Sequence, residues 1–141
     1  MNSFHHLLMK SYCALRRKVM ERAQGEGLTA GQPKILEFLS ENEGVEQNKI
    51  ARHCEIEAAT AGSILNRMEA AGLIERRRLG QNRRSLYVYL TEKGQKASQK
   101  VESIFAETEG RAFCGFSEKE REQAYVLLAK LYENLTKTEE I

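Results

Sequence analysis

Apolar positions recur at helical spacing along most of the chain. Phe4, Leu8, Tyr12, Leu15 and Val19 fall at intervals of four or three, predicting an amphipathic helix near 3–24 that Gly25 and Gly27 end. Thr29 and Gln32 then stand at capping-box spacing, with Thr29 as the expected cap of a second helix. Pro33 lies in the opening turns of that helix, where a missing N–H costs least, and Ile35, Leu36 and Leu39 form its buried stripe. Asn42-Glu43-Gly44 breaks it. Residues 46–72 divide into two short helices joined tightly at Glu55-Ile56-Glu57 and closed by Gly72. The first carries Ile50, Ala51 and Cys54, and the second Ala61, Ile64, Leu65 and Met68.

The period then changes from helical to two. Leu73 to Arg78 reads as one strand, and Leu79 to Arg83 is rich in turn residues. Arg84 through Leu90 alternates, with Leu86, Val88 and Leu90 on one face and Ser85, Tyr87 and Tyr89 on the other. Two short helices followed directly by a hairpin describe a winged helix-turn-helix. Helix resumes after Thr91 and runs near 92–114. Ser117 and Glu120 form a second capping-box pair, before a last helix striped by Ala124, Leu128, Leu131 and Leu135. The fold expected is mainly α with one small β-hairpin. A single domain, 1–141, would hold a DNA-binding lobe at 29–91 and dimerisation helices at 1–28 and 92–141. The two ends carry more apolar surface than the central lobe needs, which points to a homodimer.

Composition narrows the chemistry. All 20 acids are glutamate and no aspartate occurs, which excludes aspartyl catalysis, Asp-based cation sites and Ser-His-Asp triads. No phosphate loop, nucleophile elbow or metal-ligand spacing is present, so neither an enzyme nor a bound cofactor or metal is expected. Three widely spaced cysteines make no disulfide framework. No apolar run approaches the roughly 20 residues of a bilayer span, and the segment 4–10 does not resemble a secretory signal. No membrane partner and a cytoplasmic location follow as expectations.

The net charge of +2 hides an uneven distribution. Residues 45–90 hold 8 basic and 5 acidic groups, against 8 and 10 in residues 91–141. Five arginines, Arg76, Arg77, Arg78, Arg83 and Arg84, fall within 76–91 without one acid. Arginine's planar donor fork suits phosphates, base edges and a narrow minor groove. On the second of the two short helices, Ala59, Ser63, Asn66 and Arg67 lie opposite the apolar stripe, with Thr60 on the flank. Small residues there admit close approach to a groove, and Asn and Arg read base edges. Double-stranded DNA is the partner this pattern favours; an RNA-binding or protein-interaction winged helix is the alternative.

Gly72-Leu73-Ile74-Glu75-Arg76, a short spacer, and Asn82-Arg83-Arg84-Ser85-Leu86-Tyr87-Val88-Tyr89-Leu90-Thr91-Glu92-Lys93-Gly94 together resemble the wing signature of the MarR (multiple antibiotic resistance regulator) family. In that family Gly-Leu-Ile-x-Arg leads to Asp-x-Arg and then Val-x-Leu-Thr-x-x-Gly. The Leu28-Thr29-x-x-Gln32 opening and the order of elements match as well. The resemblance implies a homodimeric bacterial transcription regulator, a repressor, on a pseudopalindromic operator. Ser63, Asn66 and Arg67 would then sit in the major groove and Arg84 in the flanking minor groove, while Arg76 would support the wing or contact phosphate. Three departures stand out: Asn82 replaces the wing aspartate, Glu55 stands where the turn often has glycine, and Glu57 where a Ser/Thr cap is common.

Regulators of this kind lose DNA affinity on binding a small phenolic ligand, on cysteine oxidation or on binding metal. A crevice between the dimer helices and the DNA-binding lobe would hold an aromatic effector, with no anchor named by the sequence. Cys13 has Lys10, Arg16 and Arg17 nearby, yet a buried structural thiol is the preferred reading over a redox sensor. Cys54 is assigned to the core, and Cys114 to a helix end.

Overall fold

The computed structural model describes residues 3–80 and 84–138. The chain divides into two compact units, Met1–Thr108 and Glu109–Ile141. The first holds α1 (Phe4–Gly25), α2 (Gln32–Glu41), β1 (Val45–Glu46), α3 (Gln47–His53), α4 (Ala58–Ala70), β2 (Ile74–Arg77), β3 (Tyr87–Leu90) and most of α5 (Glu92–Ala112). The second holds the end of α5 and α6 (Glu118–Thr136).

Three helices of the first unit stop by one device. After α1, Gly27 (φ +78) donates its N–H to Gln24 O and Leu28 donates to Ala23 O, both at 3.0 Å. After α4, Gly72 (φ +76) and Leu73 donate to Glu69 O and Met68 O at 3.0 and 2.9 Å. These paired bonds satisfy the last carbonyls and fold the following leucine into the core. After α3 the same bonds form, Glu55 to Arg52 O and Ile56 to Ala51 O, but the left-handed residue is Glu55 at φ +54.

The start of α2 differs from its expectation. Gln32 Oε1 accepts from Thr29 N–H at 3.0 Å, so one arm of the box forms. The helix nevertheless begins at Gln32 with Gly31 (φ +84) as its cap residue, because the chain makes a further turn there. The sheet also has a strand more than the expected hairpin. β1, too short to show a period, pairs antiparallel with β3 (Val45↔Val88), giving the order β1-β3-β2. β3 begins at Tyr87, so residues 84–86 lie outside the ladder. Its alternation holds, with Val88 and Leu90 buried and Tyr87 and Tyr89 half-buried.

Ile35, Leu36 and Leu39 of α2, Ile50 of α3 and Leu65 and Met68 of α4 are fully buried, closed by Val88 and Val101. Side chains of this size each contribute about 1.5–3 kcal/mol by leaving water. Against that core, the Arg22–Glu107 and Lys100–Glu26 bridges (2.6 and 2.8 Å) are exposed and each contribute at most about 1 kcal/mol. α1 buries only Val19 and Ala23, and Phe4, Leu7, Met9 and Tyr12 remain exposed.

In the second unit both arms of the capping box form. Glu120 N–H donates to Ser117 Oγ at 3.1 Å, and Ser117 N–H donates to Glu120 Oε1 at 3.0 Å. Phe113 stacks on Tyr125 with Phe116 at its edge. No described residue of α6 is buried; Ala124 and Leu131 are half-buried and Val126, Leu127, Leu128 and Leu135 are 55–79% exposed.

Candidate nucleic-acid interface

The two short helices form a helix-turn-helix whose second member, α4, has two unlike faces. Ala61, Leu65 and Met68 are buried, whereas Ala59, Thr60, Ser63, Asn66 and Arg67 are exposed. Glu57 occupies the cap position without a side-chain cap bond, and Glu57 O accepts from Ala61 N–H at 2.9 Å. The turn is therefore regular despite two glutamates at its special positions. Only Glu55 carries a positive φ among the described non-glycine residues.

The wing arginines fall into distinct environments, because side chains alternate across a strand. Glu75 and Arg77 share one face of β2, opposite Tyr89 and Tyr87 of β3. There Arg77 donates to Glu75 Oε2 at 3.1 and 3.3 Å and lies 4.3 Å over the Tyr89 ring. Arg76 points to the other side, towards α4, and is only 13% exposed. Its Nε and Nη2 donate to the two oxygens of Glu69 at 3.2 Å each. Nη2 also donates to Asn66 Oδ1 at 2.6 Å, and Nη1 donates to Gln47 Oε1 at 3.3 Å. The Arg76 hydrogen bonds to Glu69 hold its carboxyl below the usual carboxylate range, against a slight desolvation that pushes it upward. Of the two roles expected of Arg76, bracing the wing is the one its surroundings fit.

Acid-free in sequence, the wing is therefore partly neutralised in space by Glu69 and Glu75. Arg78 and Arg84 are exposed. Asn82 and Arg83, the other two expected contacts, lie outside the described residues.

A cleft of about 500 Å³ opens between α1, the start of α2 and α4. Leu15, Val19, Met20, Ile64 and Phe105 give it apolar walls, and Tyr12, Arg16, Lys34 and Arg67 bring polar heads to it. Thr60 and Ser63 line it too, so part of the exposed face of α4 is also cleft wall. No linear signal could have named these anchors, which come from separate stretches of chain. Cys13 is exposed on α1, which corrects its reading as a buried thiol: the N-terminal half of α1 has little core to pack against. Cys54 is buried, its S–H reaches Lys34 O at 3.7 Å, and burial pushes its pKa up. Cys114 is exposed. Among the described residues no three His, Cys or Glu side chains come together as a metal site requires, and no helix is long and apolar enough to cross a membrane.

Comparison with known proteins gives a consistent answer. The family model described as the MarR family matches residues 26–85. The HTH-type transcriptional regulator BilQ of Clostridium symbiosum is 29% identical over 108 residues, 77% of this chain and 75% of that protein. Among solved structures, the S. aureus MepR–DNA complex superposes with a TM-score of 0.88 at 26% identity, covering 96% of this chain and all of the other. A MarR-family regulator from Listeria monocytogenes, in complex with a 26mer DNA, gives 0.90 at 25% identity, covering 96% and 90%.

Proposed function

We propose that this chain is a winged helix-turn-helix DNA-binding transcriptional regulator of the MarR family and that it represses transcription as a cytoplasmic homodimer on a pseudopalindromic operator, with no catalytic activity of its own. The lobe at 29–91 carries the DNA contacts. Ala59, Thr60, Ser63, Asn66 and Arg67 face the major groove. Arg78 and Arg84 follow the flanking phosphates and minor groove, and Asn82 and Arg83, which lie between them in sequence, are assigned the same role. Arg77 lends charge from its seat on Tyr89. MepR and the Listeria regulator, caught with DNA, support this reading. The observation that carries it is the Arg76 cluster, which fixes an arginine-bearing wing to the exposed polar face of α4 within one unit.

The cleft supports the signal side of the proposal. Its apolar walls accept an aromatic ring, and Arg16, Lys34 and Arg67 favour an acidic group on that ring. A small aromatic acid is the proposed effector, and it releases DNA because Thr60, Ser63 and Arg67 belong to both surfaces.

Fluorescence anisotropy on an operator selected from random duplexes tests the reading. Wild-type binding should fall steeply with salt, as phosphate contacts require. Arg84→Ala should weaken it by roughly 1–3 kcal/mol and relax preference at the flanking bases. Equal affinity for any RNA hairpin, or an Arg84→Ala protein unchanged at every salt concentration, would overturn it.

A further inference from the structure

Asn66 is the residue of α4 best suited to read a base edge, and one side of its amide is already engaged. Arginine offers only donors, so the atom 2.6 Å from Arg76 Nη2 has to be the amide oxygen; the orientation follows from chemistry. The amino group lies on the other side of Cγ, and on this exposed side chain its two N–H donors are what is left to offer a base. Arg76 is not free to follow a passing base. Glu69 grips it with both oxygens, Gln47 holds a third edge, and the side chain is 13% exposed.

We propose that Arg76 is a specificity-determining residue that acts through Asn66, turning a side chain that ordinarily reads adenine into a donor-only reader of keto bases. The proposal rests on the reading that the exposed face of α4 enters the major groove. An unconstrained asparagine recognises adenine with both ends of its amide: the oxygen accepts from N6–H and the amino group donates to N7. With the oxygen held by a guanidinium, only the second half survives. The donors that remain match guanine, whose O6 and N7 both accept, and thymine, whose O4 accepts. Cytosine meets them with an amino group alone, and adenine with N7 beside an opposing N6–H, so both fit less well. Gln47 and Glu69 make the selection a property of the assembled lobe, since one comes from α3 and the other from the turn of α4 after Asn66.

The test uses the full chain and the operator it selects, with every half-site position substituted by all four bases and affinities read by anisotropy. Wild type should prefer guanine or thymine over adenine about tenfold at one position, and Asn66→Ala should flatten that position alone. Asn66→Asp keeps an oxygen for Arg76 but turns an acceptor outward, so the same position should switch to adenine or cytosine. Arg76→Met should move it towards adenine, because the amide oxygen is released. Should Arg76→Met fail to fold, the Asn66→Asp switch decides alone. Wild-type preference for adenine at the position that Asn66→Ala flattens would overturn the donor-only assignment and leave groove reading by α4 standing. So would an Asn66→Asp protein with unchanged preference there. An Asn66→Ala protein unaltered at every position, while still binding the operator, would instead remove the premise that this face reads DNA.

Discussion

Glu55 holds a backbone conformation that costs most residues roughly 1–2 kcal/mol, and the turn of the helix-turn-helix depends on it. Its N–H and that of Ile56 close α3, so the conformation is imposed by helix termination and not chosen by the side chain. A β-branched residue there should do worse and glycine no worse. Glu55→Val is expected to lower unfolding free energy by about 1–2 kcal/mol in urea titration, and Glu55→Gly to leave it within about 1 kcal/mol of wild type or raise it. A Glu55→Val protein as stable as wild type would show that the turn relaxes. The wing arginines carry a related point. A run of basic residues reads as uniform charge, but the two-residue period of the strand sends Arg76 inward and Arg77 outward, to separate carboxylates.

At the level of elements, the junction between β3 and α5 explains the Thr91-x-x-Gly94 spacing. Thr91 Oγ1 accepts from Gly94 N–H at 3.0 Å and donates to Gly72 O at 2.6 Å, while Thr91 N–H donates to Leu73 O at 3.1 Å. A Cβ on Gly94 would collide with Leu73 carbonyl oxygen, a backbone atom that cannot swing aside. Gly94→Ala should therefore destabilise the protein by about 1–3 kcal/mol despite alanine's better helix propensity. Thermal unfolding no lower than wild type would contradict that packing. Long amphipathic helices, the alternating strand and the Ser117 box were legible because their signals are local and repeat within the element. β1 was not, because two residues carry no period and its partner lies over forty positions away. The start of α2 was misjudged because Thr29 and Gln32 satisfy the spacing of a box while Gly31 takes the cap position. The exposed face of α4 was read residue by residue. The cleft was not, since it exists only once α1, α2 and α4 are brought together.

For the whole molecule, exposed apolar surface is the outstanding fact. Phe4, Leu7, Met9 and Tyr12 of α1, and Val126, Leu127, Leu128 and Leu135 of α6, stand in water in the single chain. Patches of this kind mark association surfaces, and a two-fold dimer is the simplest closed arrangement that covers the same patch on each copy. Sedimentation at micromolar concentration should give twice the 16.1 kDa chain mass. Leu128→Glu should shift it to the single mass with loss of operator affinity. A wild-type chain found only at 16.1 kDa would remove the two-half-site arrangement.

The three-stranded ladder has a mechanical meaning. Gly44 N–H donates to Val88 O and Gln47 N–H donates to Leu86 O, so the chain entering α3 is stitched to the strand that leaves the wing. Arg76 ties the other wing strand to α4. Both strands of the hairpin are thereby fastened to the helix-turn-helix, as in a lever with no free joint between handle and blade. Under the proposed function, such a lobe grips or loses its half-site in a single step. The steepness of its response is then set by stiffness within each lobe as well as by the number of lobes.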